Sequence, residues 1–262
     1  HRRSFKSGMR KRPSRLTEGR IYSCPMPSLL LSLGAAALPA AVLLAYFYRL
    51  DRKRPEPVGL IGRSVLYGFI AVVPAAAIEL GVERLAPAPG GALGFLFESF
   101  VVAALVEEGT KLFFVKRYIF KRAEFDERAD GIVYAICVCL GFAFVENFLY
   151  GYRDMSVLLV RAFTAVPGHA VFSGIMGYYV GISKLEAGRR RAWVIGLAWA
   201  ILLHGLYDLF LLSGGLAAFL VLPLLATGWA ALRRLFRAAQ AADDRDAGRA
   251  SFQDPKPPIL YT

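Results

Sequence analysis

The residues able to do chemistry are few, and they stand in apolar surroundings. Val106-Glu107-Glu108-Gly109-Thr110-Lys111 sets two carboxylates side by side, with an amine four residues after the first and three after the second. On a helix adjacent acids point about 100° apart, and Lys111 reaches either of them. Two carboxyls so close in a low dielectric compete for protons, which is the arrangement general acid–base chemistry is built on. A buried ion pair locking two helices is the bland alternative. Phe142-Ala143-Phe144-Val145-Glu146-Asn147 adds a third carboxylate and an amide, and Pro167-Gly168-His169 places an imidazole where proline is expected to break a helix. His204 and Asp208 are four residues apart and share a helical face, so they can bind one metal or act as an orienter and a base one turn apart.

The elements carrying these groups are expected to lie in a bilayer. Of the 262 residues, 56% are hydrophobic and the mean hydropathy is +0.46, too apolar for a soluble domain of this size. Crossing the hydrocarbon takes about 20 apolar helical residues. Seven stretches qualify: 27–48, 58–82, 93–115, 131–151, 155–181, 192–211 and 214–232. The fold class is therefore all-α, a polytopic membrane helix bundle of about seven transmembrane helices. Of 32 Lys and Arg residues only Arg63, Lys111 and Arg161 fall inside these stretches. A charge at the bilayer centre costs about 2.5–3.5 kcal/mol on insertion scales, so charges kept there usually face a cavity and carry function.

The net charge of +12 resides in the connections, which favours topology signals over a nucleic-acid patch, and no nucleic-acid partner is expected. Arg49, Arg52, Lys53 and Arg54 follow the first span, Lys116 to Arg128 the third, Lys184 to Arg191 the fifth, and Arg233, Arg234 and Arg237 the seventh. The other connections hold Arg84, Arg153 and no base, so the expected orientation is N-terminus outside and C-terminus cytoplasmic in the plasma membrane. Residues 2–20 contradict it with eight basic side chains, and residues 1–25 are read as a basic, disordered or non-native extension, with Met26 as the natural start. Residues 26–235 form the membrane-embedded domain, and 236–262, rich in Ala, Asp, Arg and Pro, a solvated and disordered tail.

Several polar or small residues have structural explanations. Glu79, Glu98 and Arg63 lie near span ends, where snorkelling or pairing accounts for them. Ser173, Gly174, Gly177 and Gly181 read as a close helix-packing seam. Cys137 and Cys139 are small apolar helix residues, and with Cys24 they make no disulfide framework. For Arg161 both an ion pair and the outer surface stay open.

Taken in order, E-E-x-x-K (Glu107, Glu108, Lys111), F-x-x-x-E-N (Phe142, Glu146, Asn147), P-G-H (His169) and H-x-x-x-D (His204, Asp208) resemble the PrsW family of intramembrane proteases. The similarity takes in Asp51-Arg52 and Glu56-Pro57 and covers roughly residues 26–235. By that resemblance Glu107, Glu108, Glu146 and His204 would be catalytic, Glu146, His169, His204 and Asp208 would hold a Zn²⁺ ion, and Lys111 and Asn147 would support them. The substrate implied is a single-span membrane protein, such as an anti-sigma factor, cut in the bilayer. The family is distantly similar to membrane proteases that process prenylated proteins, so metal-independent glutamate chemistry is an alternative. Buried Glu, His and Asp also make proton relays, which leaves a proton-coupled transporter as a reading of another class, beside a catalytically dead scaffold.

Overall fold

The structure is a computed structural model that describes residues 29–51, 54–86, 88–151 and 154–253. The expected extension and its start at Met26 lie outside the described residues, as do Arg52 and Arg153. All described regular structure is helical. Helices α1 (Leu29–Leu50) and α2 (Val58–Leu85) are the first two passes, and their outward faces expose residues such as Leu30 and Val73, as lipid contact demands.

The third pass runs unbroken through residues 92–119 but changes pitch. Helices α3 (Ala92–Phe97) and α4 (Val106–Phe114) alternate with π-helical turns at Glu98–Leu105 and Val115–Ile119. Wide turns of this kind rotate the phase of the helix beyond them, and they cluster at functional sites. Helix α5 (Arg128–Gly151) is the central rod, buried at every residue from Ala129 to Ala143. The fifth pass comprises α6 (Met155–Phe163) and α7 (Ala165–Leu185), the sixth is α8 (Ala192–Ser213), and the seventh is a short 3₁₀ turn, Gly215–Leu220, leading into α9 (Val221–Gln253). Gly214 and Gly215 turn the last hairpin at φ +65° and +55°, where a side chain would strain the backbone. Among the described residues six helices are long and apolar enough to cross a membrane by length and composition; the third pass, divided by its π-helical turns, is not one of them.

Two expectations need correction. The break in the fifth pass falls at Thr164, ahead of Pro167, which sits in the first turn of α7. A first-turn proline gives up no hydrogen bond because its N–H would have had no partner, so His169 stands on intact helix. The sequence from Ala238 is not disordered as far as Gln253. It continues α9, whose Asp243 caps the start of α5 by accepting from Arg128 N at 3.1 Å and Ala129 N at 3.2 Å. Arg128 also pairs with Asp243 at 2.9 Å, Asp246 at 2.8 Å and Glu186 at 3.0 Å, joining three helices at the end of the bundle where the basic connections gather.

The glycine seam expected on α7 is present and faces α5. A Cβ on Gly177 would collide with the Gly131 carbonyl oxygen and come within 2.7 Å of Ala135 Cβ. Gly177→Ala is expected to destabilise the protein by about 1–3 kcal/mol, the usual cost of overpacking. Gly62→Ala, on an open face of α2, should leave stability unchanged. Thermal unfolding of the two variants in detergent checks the contrast.

Candidate active site

Four passes deliver polar side chains to one buried network. Lys111 Nζ, fully buried, donates to Glu107 Oε2 and Glu108 Oε1, both at 2.9 Å, and lies 3.1 Å from His169 Nδ1. The Phe142 ring lies under the ammonium, its centroid 4.2 Å away. An ammonium has donors only, so the Nδ1 lone pair of His169 accepts from Lys111 and its Nε2–H donates to Glu146 Oε2 at 2.7 Å. Glu146 Oε1 pairs with Arg161 Nη2 at 2.7 Å. That ion pair decides the open question about Arg161.

Glu108 has every oxygen engaged. Oε1 accepts from Lys111 and from His204 Nδ1 at 3.1 Å, while Oε2 accepts from Ser173 Oγ at 2.9 Å. With Nδ1 so held, and the ring stacked on Phe172 at 5.3 Å, His204 presents Nε2 to Asp208 Oδ2 at 3.3 Å and to Glu107 Oε2 at 4.0 Å. A cavity of about 410 Å³ opens here, lined by Glu107, Glu146, Arg161, His204 and Asp208 and extending to Glu79 and Glu98. Of the Glu pair, Glu107 therefore faces the cavity and Glu108 the framework.

The sequence expectations are placed unevenly. Glu107, Glu108, Lys111, Glu146, His169, His204 and Asp208 come together. Asn147 does not: it is buried one residue beyond Glu146, and neither polar atom of its amide has a partner among the described residues. Glu79 and Glu98, read as span-end residues, line the cavity, and Glu79 Oε1 is buried without a partner among the described residues. Ser173 was read as part of the packing seam only. Its position four residues after His169, on the same helical face, was the signal that it belongs to the site.

The ligand set expected for a metal is divided into two pairs, His169 with Glu146 and His204 with Asp208. The four residues whose donor atoms lie within 4.8 Å of one another are instead Glu107, Glu108, His169 and His204. Two imidazoles and two carboxylates suit a divalent ion of the zinc type in composition. Lys111 already holds three of the four, so with the lysine in place the donors left for an ion are those at the cavity: His204 Nε2, Asp208 and, beside them, Glu107. They fit an ion whose coordination is completed by water.

A helix bundle with an acid-rich cavity and histidines at its wall carries the groups that a membrane-embedded hydrolase needs. Residues 56–232 match the family described as PrsW family intramembrane metalloprotease, and the chain belongs to that family. It is 38% identical over 218 residues to the Protease PrsW of Geobacillus kaustophilus, covering 80% of this chain and 92% of the relative. It is 36% identical over 200 residues to the Protease PrsW of Bacillus subtilis, covering 75% and 90%, and 33% identical to that of Halalkalibacterium halodurans, covering 79% and 97%. No solved structure matches the chain.

Removing the buried cation should expose what it holds. Lys111→Met leaves the adjacent carboxylates uncompensated and is expected to cost about 3–5 kcal/mol, the range for breaking a buried ion pair by deleting one partner. The same change at exposed Arg63 should cost less than about 0.5 kcal/mol. Denaturation of both variants in mild detergent measures the difference.

Proposed function

We propose that the chain hydrolyses a peptide bond of single-span membrane proteins within the bilayer, with Glu107 activating the attacking water. The observation that carries this reading is the convergence of Glu107, Glu146, His169, His204 and Asp208, from four passes, on one cavity of about 410 Å³ and the wall behind it. Among the carboxylates there, Glu146 is held by Arg161 and His169, and Glu108 by Lys111, Ser173 and His204. Glu107 is held on one oxygen by Lys111, which leaves the other for water.

In this reading Glu107 takes a proton as water adds to the carbonyl carbon, then returns it to the amide nitrogen as the C–N bond breaks. Lys111 fixes the base in place; in the metal-independent alternative, His204, held at Nδ1 by Glu108, offers an Nε2–H where the carbonyl oxygen becomes an oxyanion, whereas a bound metal would take the Nε2 lone pair instead. His169, with its lone pair and N–H both committed, positions Lys111 and Glu146. The family's metal would be held by His204 and Asp208, where it supplies Lewis acidity and a bound water of lowered pKa. Zn²⁺ suits these N and O donors.

The substrate has to unwind locally, since helical hydrogen bonds shield its peptide groups, and the exposed backbone needs polar partners that only an enclosed cavity offers in lipid. A single-span protein such as an anti-sigma factor enters such a site from the side. In this reading the end of the bundle that holds Arg54, Arg128 and Lys184 faces the cytoplasm of a plasma membrane, which its basic connections support, and the cavity opens towards the outer side.

In liposomes containing a single-span substrate, Glu107→Gln is expected to lower the cleavage rate by about 10²–10⁴-fold, the usual contribution of a general base. Arg63→Gln should cleave at the wild-type rate, and wild-type cleavage by Glu107→Gln would remove the assignment. Stripping the wild type with a chelator should abolish cleavage and added Zn²⁺ restore it, whereas full activity with no bound metal would leave the glutamate mechanism alone. The Ser213→Cys variant should react with an impermeant thiol reagent from outside intact cells.

A further inference from the structure

At the far end of α5 from Glu146 lies a second group of acids that the hydrolytic site does not use. Asp51 follows α1, Glu56 sits in the connection to α2, and Asp130 lies in the first turn of α5. Their relative exposures are 3%, 6% and 0%, and one oxygen from each lies within 4.8 Å of the others. No basic side chain of the described residues lies within ion-pair range of any of the three. Arg54 is turned away to Glu127 and Asp244, and Arg128 to Glu186, Asp243 and Asp246.

The oxygens are only partly satisfied. Asp130 Oδ2 reaches back to accept from Asp126 N at 2.9 Å and Glu127 N at 2.8 Å, a cap on the incoming chain, and the Asp130 carboxyl also meets that of Glu56 within hydrogen-bonding range, with no donor for Oδ1 among the described residues. Glu56 accepts from the Tyr134 hydroxyl, while Asp51 Oδ2 is buried without a partner among the same residues. Orphaned buried carboxylate oxygens are expensive, and three acids this close need a shared proton or a bound cation between them; Asp51 Oδ2, outside the Glu56–Asp130 contact, is the oxygen that a proton shared by that pair leaves unanswered.

We propose that Asp51, Glu56 and Asp130 form a second cation site, which takes a hard divalent ion of the Mg²⁺, Ca²⁺ or Mn²⁺ class. The donor chemistry selects the class: three carboxylates and a neighbouring phenol, with no nitrogen or sulfur, suit ions that prefer oxygen. Asp126 and Glu127, whose N–H groups bind Asp130, also line a surface cleft of about 480 Å³ beside Arg54 and Asp243. Bound there, the ion ties the end of α1 and the following connection to the start of α5, whose other end carries Glu146. The inference does not depend on the hydrolytic reading.

The test uses the full chain in detergent, carrying Glu107→Gln, His204→Ala and Asp208→Asn so that the donors at the cavity are removed. After chelator treatment, Mn²⁺ is titrated and followed by electron paramagnetic resonance. One Mn²⁺ per chain is expected, displaced by excess Mg²⁺ or Ca²⁺, and either of these should raise the thermal unfolding midpoint by several degrees. Adding Asp51→Asn with Glu56→Gln should abolish both effects. A folded parent that binds no Mn²⁺ overturns the proposal whatever the further variants do. So does binding that survives Asp51→Asn with Glu56→Gln, or a variant that gains stability with no response to cations, the signature of acids neutralised by protons alone.

Discussion

The buried ammonium of Lys111 is what lets two adjacent carboxylates stand inside the bundle. With no exposed surface of its own, it touches both acids of the Glu107–Glu108 pair and the imidazole of His169. A carboxylate in hydrocarbon without a partner is strongly disfavoured, and two adjacent ones more so. One internal cation makes the pair tolerable and also orders it. Because Lys111 binds one oxygen of each glutamate, the carboxylates cannot rotate independently, and Ser173 and His204 then fix Glu108 while Glu107 keeps an oxygen towards the cavity.

That arrangement needs the helices to approach closely, which ties bundle packing to chemistry. The α5–α7 seam, with glycine facing glycine at Gly131 and Gly177, lets the backbones touch and carries His169 to within hydrogen-bonding reach of Glu146. In lipid no hydrophobic force drives helices together, so small residues and buried polar bonds supply the association. Here the two coincide: the polar network that holds the passes together is also the candidate site. A substitution that loosens the seam therefore acts on activity through the distance between His169 and Glu146.

Hydropathy made the passes legible in sequence, and the rarity of intramembrane charge made most of the site legible too. Lys111, Glu107, Glu108, Glu146, His169, His204 and Asp208 stood out because lipid tolerates such residues only with partners. What stayed hidden depended on three-dimensional phase. Pro167 reads as a helix breaker, yet its effect turns on where the helix begins, and Thr164 takes the cap. Glu79 and Glu98 read as interfacial because depth along a helix says nothing about which neighbour they face. The π-helical turns around α4 leave no mark in composition, and the pairing of His169 with Glu146 and of His204 with Asp208 followed from Lys111 occupying His169 Nδ1 and Glu108 occupying His204 Nδ1. The segment 238–253 read as solvated because its charges are many; Asp243 is buried because Arg128 and the start of α5 wait for it.

The two ends of the bundle differ for a physical reason. At one end Arg128, Glu186, Asp243 and Asp246 close the helices with ion pairs, and the acids around Asp130 are packed out of water. At the other the cavity is open, and its acids gather around Arg161 and His204. A hydrolase in lipid has to admit water to the scissile bond without letting the bundle open through. Closing one end with salt bridges, which strengthen as water is excluded, and leaving the other to a polar cavity meets both demands. Helix α5 spans the two, buried along most of its length, so the rigidity of the closed end is carried to Glu146 at the open one.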